Sequence, residues 1–482
     1  MGIIRFSDYF GINKSQAELD FVDIPLNTDI ELYVDPFAIF LDKDIWFNKC
    51  NNLIIDFFDR LIYELKNNNK SKALELMGNL SEANDANLGL SKGIPDGKGI
   101  GKKYGLLLYK KLNNSKAVKT GKVEDISDLE LLIPGISNDR ISDMTINIIR
   151  GMLIAYTYNQ CKLYDIEMKK IASGMYWDDG IGFWRNAFVY LPVYEGKRII
   201  LVPKVSVRYR IRTNHKEYYN KFVLDFLQAE HLRANSSLVH VLKNKKRKVL
   251  KKDLKEKYPC TKEFLFEFSN KNSRVLREYK KYIIDNAGNE LDNEAIEERQ
   301  KEPREIDLMY LIDKLKEIKY GKKEANRYHE CIKGIIVALF SPELYKIKKE
   351  KNIDRGLKRL DLVANNRAKR GFFNRISNIH RILCPKIIIE CKNYKEDPKN
   401  PELDQLLGRL GKKRSHFGIL ACRNIKDKKR LLERCKIILE NHGRYIIVIE
   451  DKDIFELIKL KNYKKIKEFD DYMDDKLSEL IM

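Results

Sequence analysis

No apolar run in this 482-residue chain approaches the roughly 20 residues that a bilayer-spanning helix needs, which excludes an ordinary transmembrane segment. The first residues, MGIIRFSDYFGINKSQ, lack the basic-then-apolar layout of a secretory leader, and Phe6 stands where a myristoylation signal wants Ser or Thr. A cytoplasmic protein is therefore expected. Cysteine is sparse: eight residues lie scattered from Cys50 to Cys435, with no C-x-x-C pair. That excludes a disulfide framework and a zinc knuckle, and leaves small buried residues in a reducing compartment as the plain reading. The histidines, seven in all, fall at no metal-ligand spacing, and no Ser-His-Asp arrangement suggests itself. No loop ends in the G-K-[S/T] of an ATP site, so any ATP-driven step would call for a separate ATPase partner. Acidic residues are also in deficit, 70 Asp plus Glu against 92 Lys plus Arg, for a formal charge of +22. A field of that sign favours polyanions, nucleic acid above all.

At this length the chain is expected to form two domains or more. To about residue 285 it mixes helices and strands: 53–68 and 144–161 carry apolar residues at helical spacing, and 198–211 reads as a strand pair or bent strand. A helical and very basic stretch follows, from about 218 to 279. The segment 286–305 is polar, locally acidic and holds Gly and Pro, which makes it the expected linker. Beyond it, 306–482 has a compact α/β pattern. Helices are expected over 306–318, 324–340, 402–411 and 427–439, and at the C-terminus. Strands are expected near 344–350, 357–365, 384–392, 417–423 and 444–451.

The informative residues lie in GLKRLDLVANN (356–366) and CPKIIIECKNY (384–394). KIIIECK is almost wholly apolar, the mark of a strand buried on both faces, yet it ends in Glu390 and Lys392. Strand alternation puts these two on one side and Cys391 on the other. The preceding strand holds Asp361 between Leu360 and Leu362, and pairing the two strands would set Asp361 beside Glu390. Carboxylate oxygens are the hard ligands that Mg²⁺ prefers, and an ammonium beside them can stabilise charge developing on a phosphate.

This D-(spacer)-E-C-K arrangement on consecutive strands resembles the PD-(D/E)xK nuclease superfamily, the restriction-endonuclease-like fold with its Mrr-type and Holliday-junction-resolvase-like branches. The proline that usually precedes the first Asp is replaced here by Leu360. More narrowly, KRLDL, GFF, IIIECKNY, NPELDQLLGR and FGILACR are similar to bacterial restriction-endonuclease-like proteins of phage defence, over about residues 320–450. The resemblance implies an αβββαβ core preceded by a mixed α/β region that recognises or regulates. It implies a Mg²⁺-dependent (or Mn²⁺-dependent) endonuclease hydrolysing DNA phosphodiester bonds. Asp361 and Glu390 would be metal ligands with the backbone carbonyl of Cys391 a third, and Lys392 the catalytic lysine. Glu330 in RYHECIKGIIVALF would be the glutamate of the first core helix, and Gln405, flanked by Glu402 and Arg409, the residue supplied by the helix after the lysine strand. Each subunit of such an enzyme cuts one strand of a duplex, so a homodimer is also implied.

Two further features invite function. GLSKGIPDGKGIGKKYG (89–105) could cradle a phosphate, although a surface loop is the commoner outcome for such a sequence. The basic stretch within 204–262 is densest at KNKKRKVLKKDLKEK, where Lys243, Lys245, Lys246, Arg247, Lys248, Lys251 and Lys252 are expected to meet the DNA backbone. His329 and His380 lie close enough in sequence to reach the site. A rival class stays open: a catalytically silent or ligand-gated nuclease fold that senses nucleic acid or a partner protein.

Overall fold

The computed structural model describes residues 2–42, 44–89, 105–106, 108–110, 112–113, 128–242, 244–286, 291–353, 358–411 and 414–482. Residues 90–104, the body of the Gly-Lys segment, lie outside them, as does Lys243. Among the described residues no helix is long and apolar enough to cross a membrane. None of the eight cysteines is in a disulfide, and six of them are buried. The chain divides into two compact units, Met1–Ile4 with Ile24–Leu291, and Arg5–Asp23 with Asp292–Met482.

The first unit is a helical body decorated with two-stranded sheets. Its long helix Ile45–Lys66 buries Phe57 against two tryptophans, Trp177 and Trp184, paired across a short hairpin. The indole N–H groups are satisfied by Asp56 and by the carbonyl of Leu76, as buried donors require. The single helix expected over 144–161 is two, Asn138–Ile148 and Arg150–Leu163, broken at Ile149. Of the strand expected over 198–211, Arg198 pairs with Val193 in a two-residue hairpin and Val207–Arg208 pairs with Tyr33–Val34, while the residues between them join no ladder. Pro203 cannot donate to a ladder, and the N–H groups of Ile200 and Leu201 find Asp85 and Thr157 instead. The basic stretch is not continuously helical. Val239–Val241 and Arg247–Val249 form an antiparallel hairpin, closed by a turn in which Lys245 adopts φ +63°. The β-branched valines favour extended chain there. Helices Lys251–Lys257, Lys262–Lys271 and Ser273–Asp285 follow.

The second unit carries the informative strands. Its elements are α1 (Tyr310–Lys316), α2 (Ala325–Phe340), β1 (Leu344–Ile353), β2 (Lys358–Asn366), α3 (Gly371–Asn378), β3 (Lys386–Lys392) and α4 (Asn400–Leu407), followed by β4 (Phe417–Cys422), α5 (Lys428–His442), β5 (Tyr445–Glu450), α6 (Asp451–Asn462) and α7 (Ile466–Ile481). The strands make one five-stranded sheet in the order β1-β2-β3-β4-β5. The first three are antiparallel neighbours; β3–β4 and β4–β5 run parallel. Every residue of β4 is buried, as an apolar central strand with helices on both faces demands. Gly418 on β4 makes room for α4: a side chain there would meet Leu406, Leu410 and the carbonyl of Ile388 at 3.2–3.4 Å.

The expected linker 286–305 and a domain beginning at 306 need correction. Asp292 accepts from the Ala295 N–H to start a short helix, Asn293–Glu297, on which Ile296 is fully buried. Glu297 then takes Arg5 in a two-pronged ion pair, at 2.7 and 2.9 Å. Arg5–Asp23 thus form a strap belonging to this unit. Asp23 accepts from the backbone and hydroxyl of Ser7, Gln300 donates to the Asp23 carbonyl, and Ala17 lies in the unit's apolar core. The strap crosses α2 at Gly334, where an added Cβ would lie 2.7 Å from Glu18 and 2.8 Å from Lys14.

Candidate active site

Charged residues at the end of a buried strand need partners, and β3 supplies the first itself. The carboxylate of Glu390 is wholly buried, and the ammonium of Lys392, two residues on and on the same side, stands 2.8 Å from its Oε1. The β2–β3 ladder is in register at Leu362 and Ile389, which brings Asp361 level with Glu390. Asp361 turns its Oδ2 to accept the backbone N–H of Cys391 at 3.1 Å. Cys391 therefore gives its N–H to the site while its thiol is buried in the core.

The close approach of α4 at Gly418 delivers two more groups. Gln405 accepts a hydrogen bond from Lys392 Nζ on its Oε1 at 2.8 Å, fixing where the ammonium points. Arg409, just past the end of the helix, presses its guanidinium against Glu390 Oε2 and lies 3.7 Å from Asp361 Oδ1. Glu402 does not share that role: it accepts from the Lys399 N–H at 2.8 Å and caps its own helix. From α2, His329 brings Nε2 to 3.9 Å from Asp361 Oδ2. Glu330, one residue and about 100° further round the helix, directs its carboxylate at Lys333, 3.5 Å away. Lys333 is itself almost completely buried, which pulls its pKa down to about 8 despite Glu330.

The structure thus gathers Asp361, Glu390, Lys392 and Gln405 in one cluster and turns Glu330 to Lys333. Arg409 entered the sequence reading only as a neighbour of Gln405. An arginine four residues after Gln405 was the available signal, and the helix end at Gly408 had to be known before it could be used. Two carboxylates so close repel, and the buried one is costly without company. Here two cations provide it. The donor set is oxygen-rich and hard, which fits Mg²⁺ or Mn²⁺ held by Asp361 and Glu390. Among the described residues no group of three or more His, Cys, Asp or Glu side chains is gathered to hold a metal, here or elsewhere, so an ion at Asp361 and Glu390 would have to complete its shell with backbone carbonyl, water or substrate oxygens.

A family model described as a domain of unknown function (DUF8370) matches residues 11–214, less than half of the chain. The match takes in part of the strap and much of the first unit, and stops short of the sheet that carries the cluster. No curated protein and no solved structure matches the chain.

Proposed function

We propose that the chain is a metal-dependent endonuclease that hydrolyses DNA phosphodiester bonds, with its active site at Asp361, Glu390, Lys392 and Gln405. The observation that carries this reading is the meeting of two carboxylates, from neighbouring antiparallel strands, with an ammonium held by a helix-borne amide. The order α2-β1-β2-β3-α4-β4, with α3 inserted before β3, supports a restriction-endonuclease-like core. A divalent ion between Asp361 and Glu390 would neutralise charge on the scissile phosphate and acidify a bound water. Lys392 then serves as donor to the attacking water or a phosphate oxygen, and Gln405 keeps it aimed. His329 is positioned to orient Asp361 from behind.

DNA is the favoured substrate, consistent with the +22 charge. The hairpin and the helix after it offer exposed Lys245, Lys246, Arg247, Lys248, Lys251 and Lys252 to its backbone. Lys251 already pairs with Asp225 and contributes less than the hairpin lysines. The resemblance to defence nucleases makes foreign DNA the expected target and a second copy of the chain the expected partner for cutting both strands.

A second reading, a nuclease fold that binds DNA without cutting, draws on the ion pair of Arg409 with Glu390, which closes the carboxylate pair. One assay separates the two: plasmid and linear DNA with Mg²⁺, Mn²⁺ or EDTA, for wild type, Asp361→Ala and Lys392→Ala. Metal-dependent cutting that falls on the order of a thousandfold in each variant supports the nuclease. Metal-stimulated cutting that persists undiminished in both variants refutes the assignment of the site.

A further inference from the structure

Among the described residues, the charged side chains that meet at β3 balance one another. Asp361 and Glu390 carry two negative charges, and Lys392 and Arg409 carry two positive ones. Lys392 Nζ stands 2.8 Å from one oxygen of Glu390. Arg409 does something different: a single guanidinium nitrogen, Nη1, meets the other Glu390 oxygen and stands 3.7 Å from Asp361 Oδ1, so one cationic group faces both carboxylates. Its side chain is only 7% exposed. Asp361 and Glu390 are the residues that would hold a divalent ion, so the ion and the guanidinium would compete for the same two carboxylates.

We infer that Arg409 is a resident counter-cation that closes the metal site. A divalent ion is admitted only when the guanidinium leaves, and the released group is then free to meet the scissile phosphate. This inference rests on the nuclease reading and adds a regulatory step to it. The local chain suits the movement. The backbone beside Arg409 is anchored by the buried Leu406 and Leu410, and the turn beyond is closed by the Gly411–Ser415 bridge, so the side-chain torsions alone must carry the swing. Lys392 is held in place by Gln405 and keeps Glu390 partnered throughout. Without metal the pair is stable with Arg409 in place, and the energy of that ion pair is subtracted from the affinity for metal.

The test uses the full-length protein and Mn²⁺ as probe. Arginine modification by phenylglyoxal, read by peptide mass spectrometry, reports whether Arg409 is covered. It should be protected in EDTA and become reactive with saturating Mn²⁺, while Arg423, buried against Asp451 and Asn393, stays unreactive in both. Calorimetric titration should show Arg409→Gln binding Mn²⁺ roughly tenfold tighter than wild type, with Arg409→Lys in between and Glu390→Gln not binding. Mn²⁺ binding to wild type that leaves Arg409 protected overturns the inference, as does Arg409→Gln binding no tighter; either result leaves the nuclease reading standing. Absence of Mn²⁺ binding in wild type and Arg409→Gln alike removes the nuclease reading and this inference with it.

Discussion

Lys333 illustrates what a single buried charge does to this unit. It lies on α2, one turn from His329, with Glu330 as its near partner and its ammonium almost out of reach of water. Burial penalises the charged form, so the folded-state pKa of about 8 lies below that of the unfolded chain. Between these two values the unfolded chain binds more protons, and stability rises with pH across that window. Below about pH 8 the charged lysine carries its full penalty. Lys333→Met should therefore raise the melting temperature at pH 7, by up to about 3 kcal/mol in stability, and the gain should shrink as the pH is taken from 8 to 10. A gain that stays constant over that range would show that Lys333 is not strained by burial. At this same scale the charged cluster was partly legible. Glu390 and Lys392 stand out because charge is anomalous in an apolar strand, and Asp361 follows from strand pairing. The choice of Glu330 over His329 was a question of helical phase, and a rotation of one residue separates them. Arg409 depends on the angle at which α4 meets the sheet, which no local pattern encodes.

Among the elements, the strands were the easiest to foresee, since apolar runs bounded by turn residues leave few alternatives. Helix α3 went unforeseen because part of its support is remote: the Phe372 N–H is taken by Asp470 of α7 at 3.1 Å. The approach of α4 to β4 is the element-level feature on which the site depends. Gly418→Ala forces Leu406 and Leu410 to give way by a few tenths of an ångström. It should cost about 1–3 kcal/mol and depress cleavage beyond what the lost folded fraction explains, because Gln405 and Arg409 withdraw together. Equal losses of activity and folded protein would mean that α4 tolerates the shift. The 239–249 hairpin has a different character, with Val241 70% exposed and basic side chains round it. Binding of a fluorescent duplex in EDTA should weaken with salt, and Lys245→Glu with Lys246→Glu should reduce the log–log slope by about 2. An unchanged slope would move the DNA contact elsewhere.

At the level of the whole molecule, sequence reading foresaw a boundary but misplaced it, because the strap is joined to its unit by contacts more than half the length of the chain apart. Arg5 and Glu297 are 292 residues distant in sequence. Composition can expose a polar segment; it cannot say that the segment closes on the N-terminus. A fragment spanning 306–482 should consequently be poorly folded, and 292–482 should gain thermal stability on addition of a peptide covering 5–23. Equal melting with and without that peptide would make the strap dispensable. The strap also sets a schedule for synthesis. Residues 5–23 leave the ribosome early, yet the surface they must cover is made only after the whole first unit has been translated. The second unit cannot finish assembling until residues 292–482 have been made, so a product stalled before them would carry the first unit without the charged cluster. On the proposed nuclease reading, the order in which the chain is written would spare the cell a half-made enzyme.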